Sequence, residues 1–153
     1  MAGAVILNSR QPIRCCAGDD WVKNTIQAVS YIHADRSYLL SSVGMSTWEL
    51  VTALGVLTGN KTQIYYPVAN INEQYHIERI ITEQFNLNQE TTQFIPIKSD
   101  NDNKNKNELL MLRDRKIIEN ADVLIPVSIR PGGQLDSLIK QFQLSSDGPR
   151  HNG

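Results

Sequence analysis

Short apolar runs alternate with amphipathic stretches five times along this chain. The apolar runs are typical of buried strands, and the stretches between them carry apolar residues at the spacing of a helix with one buried face. Five strands that alternate with five helices predict an α/β protein with a mostly parallel sheet. Right-handed crossovers would make it a Rossmann-like doubly wound sandwich with helices on both faces.

Turn and capping residues set the expected limits of these elements. The predicted strands are residues 4–7, 38–40, 63–68, 94–97 and 123–127. The predicted helices start after Asp19 or Asp20 and at Ser46, and then cover residues 72–85, 108–119 and 135–142. Ser46 and Glu49 fit a capping box. Pro96 predicts that the fourth strand is a weak one.

The length and composition predict a single domain. The chain has 153 residues, of which 41% are hydrophobic and 20% charged, so it can bury a core of ordinary size. We expect the domain to span residues 1–144 and residues 145–153 to form a loose tail. The polar run at residues 99–107, SDNDNKNKN, predicts a mobile loop.

The charge and the cysteines exclude several classes of function. Fifteen basic and 16 acidic residues give a net charge of -1, so no overall basic field favours nucleic acid or a membrane surface. Cys15 and Cys16 are adjacent, which disfavours a disulfide between them, and we favour two reduced thiols over a redox or metal role. No grouping of side chains has the spacing of a metal site. No signal peptide or membrane span is evident, so we expect a cytoplasmic protein.

The segment from residue 121 to residue 142 indicates a ligand class. An apolar run leads into Arg130, Pro131, Gly132 and Gly133, and an amphipathic stretch follows. Glycines let the backbone approach a ligand, and a helix N-terminus offers free N–H groups to an anion such as phosphate. A tight turn that needs only glycine geometry is the alternative, although Arg130 favours an anion.

Two further loops are expected beside this turn. In sheets of this kind, ligands bind beyond the carboxyl ends of the strands, and the loops at residues 8–10, 41–46 and 128–134 converge there if the first strand is central. A salt bridge of Arg10 to Asp19 or Asp20, or capping by Ser46, would explain the polar residues without a ligand. The candidate binding residues are Ser9, Arg10, Ser42, Gly44, Met45, Ser46, Arg130, Pro131, Gly132, Gly133 and Gln134.

These segments together resemble one superfamily. It joins the DNA-processing protein A family with the lonely-guy phosphoribohydrolases and the molybdenum-cofactor-carrier-like proteins. The resemblance rests on residues 8–10, on Trp21, on residues 41–45 and on the passage from residues 121–123 to residues 130–133. It implies a Rossmann-like domain, often dimeric, that binds nucleotides or their derivatives.

The departures from the lonely-guy signature, PGGxGTxxE, are equally informative. Residues 131–133 match, but Leu135 stands at the next glycine, Asp136 at the threonine and Ile139 at the catalytic glutamate. The resemblance therefore implies a phosphate-contacting loop and does not imply hydrolysis. Glu49 is a weak candidate for a substitute acid, and Asp136 is another.

Three functions remain open at this point. The leading one is binding of a nucleotide or nucleotide derivative, with no assured catalysis and no assured cofactor. The second is hydrolysis of the N-glycosidic bond of nucleoside monophosphates, with Glu49 as the carboxylate that stabilises the transition state. The third is a non-enzymatic interaction module, such as a homodimer. Single-stranded DNA is disfavoured, because no basic cluster is evident.

Overall fold

The structure, a computed structural model, describes residues 2–11, 16–98 and 106–146. Its strands are β1 (Gly3–Asn8), β2 (Tyr38–Ser42), β3 (Thr62–Val68), β4 (Thr92–Lys98) and β5 (Val123–Ser128). Its helices are α1 (Asp20–Ala34), α2 (Trp48–Thr58), α3 (Ile71–Phe85), α4 (Lys106–Asn120) and α5 (Gln134–Ser146). The predicted alternation of strands and helices is confirmed.

All five strands form one parallel sheet in the order β4-β3-β2-β1-β5. The chain therefore steps outward from β1 to β4, and α4 then carries it back across the sheet to β5. This reversal puts a topological switch point between β1 and β5, where the loops at their carboxyl ends separate. The predicted doubly wound fold is confirmed, and β1 lies between β2 and β5.

Alternate residues of β1 supply two separate cores, one on each face of the sheet. Val5 and Leu7 pack in the core that contains Ile117 of α4. Ala4 and Ile6 pack in the other core, against α1 and α2. Because side chains alternate across a strand, a strand covered on both faces is apolar throughout. All six residues of β1 are buried.

Proline marks both edges of the sheet. Pro96 lies in β4 and Pro126 in β5, and a residue without an N–H is tolerated on an edge strand. Pro67 of the interior strand β3 pairs only with β4, because the ladder between β2 and β3 ends at the pair of Ser42 and Tyr65. The weak strand predicted from Pro96 is therefore an edge strand.

The capping box predicted at the start of α2 is wrong. The helix begins at Trp48, and the capping position is Thr47, which has a left-handed φ of 66° and makes no side-chain capping bond. Its hydroxyl oxygen instead accepts a hydrogen bond from Asn8 Nδ2 at 3.1 Å. A contact with the end of β1 therefore replaces the local capping that Ser46 and Glu49 suggested.

The helix ends also differ from the predicted limits. α4 begins at Lys106, inside the predicted loop, and residues 99–105 of that loop lie outside the described residues. α5 continues to Ser146, so two residues of the predicted tail are helical, and residues 147–153 lie outside the described part. Cys15 is also outside it, whereas Cys16 is an exposed free thiol. Among the described residues, no helix has the length and apolarity needed to cross a bilayer.

Candidate functional site

The loops that follow β1, β2 and β5 surround an open cavity of about 230 Å³ at the carboxyl edge of the sheet. The predicted site residues that line it are Ser9, Arg10, Gly44, Met45, Ser46, Arg130, Gly133 and Gln134. Arg113, Asp114 and Leu135 complete the wall. The structure thus brings together the three loops that the sequence predicted to converge.

Ser9 joins the β1 loop to the β5 loop. Its backbone N–H donates to Ser128 O at 2.6 Å, and its hydroxyl oxygen accepts a bond from the backbone N–H of Arg130 at 2.7 Å. Gln11 Nε2 donates to Ser9 O at 3.1 Å and to Ser128 Oγ at 2.9 Å. These bonds hold Arg10 and Arg130 on adjacent segments of the cavity rim.

Ser42 does not line this cavity. It is the last residue of β2, which runs two residues beyond the predicted strand, and it is 2% exposed. It lines a separate small space of about 10 Å³, and its hydroxyl has no hydrogen-bond partner among the described residues. The loop that reaches the main cavity starts after it, where Met45 N–H donates back to Ser42 O at 3.0 Å.

Two charged side chains of α4 also line the cavity. Arg113 and Asp114 are only 5% and 6% exposed, and Arg113 donates from Nε and Nη2 to Asp114 Oδ1 at 2.8 Å. Arg113 Nη1 also donates to Val43 O at 3.3 Å. A Cβ atom at Gly44 would lie 2.6 Å from Nη1, so the guanidinium packs directly against the backbone of the β2 loop.

Neither residue of this pair was among the site residues predicted from the sequence. A periodic signal was nevertheless present. Arg113 is four residues before Ile117, and Asp114 is four residues before Ile118, so each shares a helix face with a residue of the core. Arginine and aspartate are almost never fully buried unless they are paired, and adjacent opposite charges on that face were the sign of such a pair.

The charges on the wall favour an anion. Three guanidiniums and one carboxylate line the cavity, which leaves two net positive charges when Asp114 is ionised (three minus one). Burial raises the pKa of the Asp114 carboxyl, and the Arg113 guanidinium beside it acts in the opposite direction.

The amides of the glycine turn already have protein partners. Gly132 has a φ of 77°, and its N–H donates to Asp136 Oδ2 at 2.9 Å. Gly133 N–H donates to Arg130 O at 3.2 Å. Neither Pro131 nor Gly132 lines the cavity, so the charged groups available to an anion there are the arginine side chains.

Asp136 occupies the position at which a bound anion was expected at the start of α5. Its Oδ2 accepts the Gly132 N–H and also lies 3.2 Å from Lys140 Nζ. The Gly132 hydrogen bond, with the Lys140 contact as a smaller cause, lowers the pKa of the Asp136 carboxyl. The chain thus supplies its own carboxylate to this helix N-terminus, where negative charge is favourable.

The remaining candidates lie away from the cavity or have no visible partner. Glu49 is exposed in the first turn of α2 and does not line the cavity. Within the described ranges, Arg10 forms no ion pair with Asp19 or Asp20, and Asp19 instead accepts a bond from Cys16 N–H at 3.0 Å. The same ranges contain no group of three histidine, cysteine or acidic side chains suited to a metal ion.

Comparisons of the chain with protein-family models, with curated proteins and with solved structures found no match.

Proposed function

We propose that this domain binds a small phosphate-bearing ligand, a nucleotide or nucleotide derivative, in the cavity between the β1, β2 and β5 loops. The observation that carries the proposal is the set of three arginines, Arg10, Arg113 and Arg130, which reach one cavity from three separate elements. Guanidinium groups bind phosphate through paired, charge-assisted hydrogen bonds. A switch point of a doubly wound sheet is also the usual ligand position in this fold class.

Arg113 supports binding because it is already ordered. Asp114 and the carbonyl of Val43 fix its guanidinium, and Gly44 leaves the space that it fills. A side chain that is fixed before binding loses little conformational freedom when the ligand arrives, so more of the interaction energy appears as affinity.

The cavity volume limits how much of a ligand is enclosed. About 230 Å³ is below the range of roughly 300–1,000 Å³ that encloses drug-sized ligands. No aromatic ring lines the cavity among the described residues. We therefore propose that the phosphate and the adjoining sugar enter the cavity and that a base, where present, lies toward the opening.

The proposal contains no catalytic step. At the position of the lonely-guy glutamate, Ile139 is 8% exposed and packs in the core that α4 and α5 cover. Glu49 lies outside the cavity wall, and Asp114 is bound to Arg113. The resemblance to the superfamily supports the phosphate site. That the protein is cytoplasmic is also part of this proposal.

Thermal denaturation with a panel of nucleoside monophosphates and nucleotide sugars tests the proposal. A ligand at a hundred times its dissociation constant adds about 2.7 kcal/mol to the free energy of unfolding. We expect Arg130→Ala to lose most of this stabilisation and Arg115→Ala, an exposed arginine of α4 outside the cavity, to retain it. If no phosphate-bearing compound stabilises the wild-type protein, the proposal is wrong.

A homodimer is a second proposal, and it is compatible with the first. On α3, Ile71 and Tyr75 are one helical turn apart and are 72% and 77% exposed. Sedimentation equilibrium of the wild-type protein and of Tyr75→Glu tests this face, with the exposed Gln84→Glu as a matched control. We expect only Tyr75→Glu to dissociate the dimer, and a monomeric wild-type protein contradicts the proposal.

A further inference from the structure

One carboxylate oxygen of Asp114 is hydrogen-bonded within the protein, and the other is not. Both of the short contacts from Arg113, through Nε and Nη2, go to Oδ1. Oδ2 accepts no hydrogen bond from any residue within the described ranges, although Asp114 is 6% exposed and lines the cavity. Oδ2 is not among the buried side-chain atoms that lack a partner, so it is open to the cavity, where a ligand that displaces water from it must supply a hydrogen-bond donor in return.

We propose that Asp114 determines which phosphate-bearing ligand the cavity accepts: its Oδ2 accepts a hydrogen bond from a hydroxyl group of the ligand, so the site favours a phosphate monoester of a polyol, such as a pentose phosphate, over bare phosphate. This inference rests on the proposed function and refines it. An ionised carboxylate only accepts hydrogen bonds, so the group that faces it must be a donor.

The same carboxylate acts against anions that bring no donor. Bare phosphate bound by Arg113 would lie beside a buried negative charge and would compete with it for the same guanidinium. A hydroxyl on the ligand compensates by donating to Asp114. A site built to bind a hydroxyl discriminates strongly against an analogue that lacks it, because the buried polar group of the protein is then left unpaired.

Ser9, in the β1 loop, adds another polar group to the cavity wall. Its oxygen accepts the bond from Arg130 N–H, which leaves its O–H free to donate toward a phosphate oxygen. The β1 and β5 loops thus offer donors through Arg10, Ser9 and Arg130, whereas α4 offers an acceptor, Asp114 Oδ2, beside its donor Arg113. A ligand with an anionic end and a hydroxylated end fits this polarity.

Isothermal titration with two probes, inorganic phosphate and ribose 5-phosphate, tests the inference. We expect the wild-type protein to bind ribose 5-phosphate at least about tenfold more tightly than phosphate, as a hydrogen bond to a charged group implies. In Asp114→Asn, which preserves shape and removes the charge, we expect this ratio to fall about tenfold, because phosphate binds more tightly and the hydroxyl loses its charged acceptor. The control is Glu119→Gln, an exposed carboxylate of α4 outside the cavity, which should keep the ratio.

A second measurement needs no variant. Propyl phosphate carries the same anionic group as ribose 5-phosphate without hydroxyls, and we expect the wild-type protein to bind it about tenfold or more weakly. Equal affinity for the two esters, or an unchanged ratio in a folded Asp114→Asn protein, overturns the inference and leaves the proposed function standing. If the wild-type protein binds none of these probes and no compound of the nucleotide panel, both proposals are wrong.

Discussion

The guanidinium of Arg113 fills the space that a side chain at residue 44 would need. A Cβ atom at Gly44 would lie 2.6 Å from Arg113 Nη1, and the backbone of Gly44 has a φ of 88° that side chains rarely adopt. A residue of α4 and a residue of the β2 loop therefore depend on each other. Through this contact, the part of the cavity wall at residue 44 packs directly against a buried side chain of α4.

Gly44→Ala should damage both the fold and the site. Left-handed backbone strain costs about 1–3 kcal/mol in a residue with a side chain, and the clash with Arg113 adds to it. The control is Gly132→Ala, because Gly132 also has a positive φ, of 77°, but nothing lies within 4 Å of its Cβ position. In urea unfolding we expect Gly44→Ala to be the more destabilising of the two, and equal effects would contradict the contact.

Removing one partner of the buried ion pair should cost more than removing both. Arg113→Ala leaves the Asp114 carboxylate buried without its cation, which we expect to reduce the free energy of unfolding by about 3 kcal/mol. The double variant Arg113→Met with Asp114→Leu should recover much of this loss, because no uncompensated charge is left. If the double variant loses as much free energy of unfolding as the two single variants together, measured in urea, the two side chains act independently and the prediction is contradicted.

Asp136 should stabilise the fold in a pH-dependent way. The pKa of its carboxyl is lowered in the folded protein, first by the Gly132 N–H and then by Lys140. A lowered pKa means that the stabilisation is present above the pKa of the unfolded chain and is lost as the pH falls through the folded pKa. Melting temperatures should therefore be lower for Asp136→Asn than for wild type near neutral pH and converge in strong acid. A constant difference across this range would contradict the interaction.

The fold could be predicted because its signal is repeated along the chain. Apolar runs such as residues 4–7 indicate strands buried on both faces, and each is followed by a helix-forming stretch. The errors occur where tertiary contacts override a local pattern. Thr47, not Ser46, precedes α2 because its hydroxyl binds Asn8.

The position of the cavity was predictable from the sequence, but only part of the set of residues that line it was. Three loops had to meet because parallel strands end at one edge of a sheet and β1 is an interior strand. The burial of Arg113 and Asp114 depends on how α4 packs across β1, β2 and β3, which no local motif encodes. The hydrogen bond from Gly132 N–H to the Asp136 carboxylate was not predicted either. The local sequence around Gly132 is typical of a phosphate-binding turn and gives no sign of this bond.

The most direct test of phosphate binding at this cavity is residue-resolved. Two-dimensional ¹H–¹⁵N spectra of the labelled wild-type protein should be recorded during titration with a nucleoside monophosphate and with inorganic phosphate. We expect saturable chemical-shift changes concentrated at residues 9–10, 44–46, 113–114 and 130–135. The affinity should be higher for the nucleotide than for inorganic phosphate. Saturable shifts confined to other surfaces, or no saturable shifts with either compound, would contradict it.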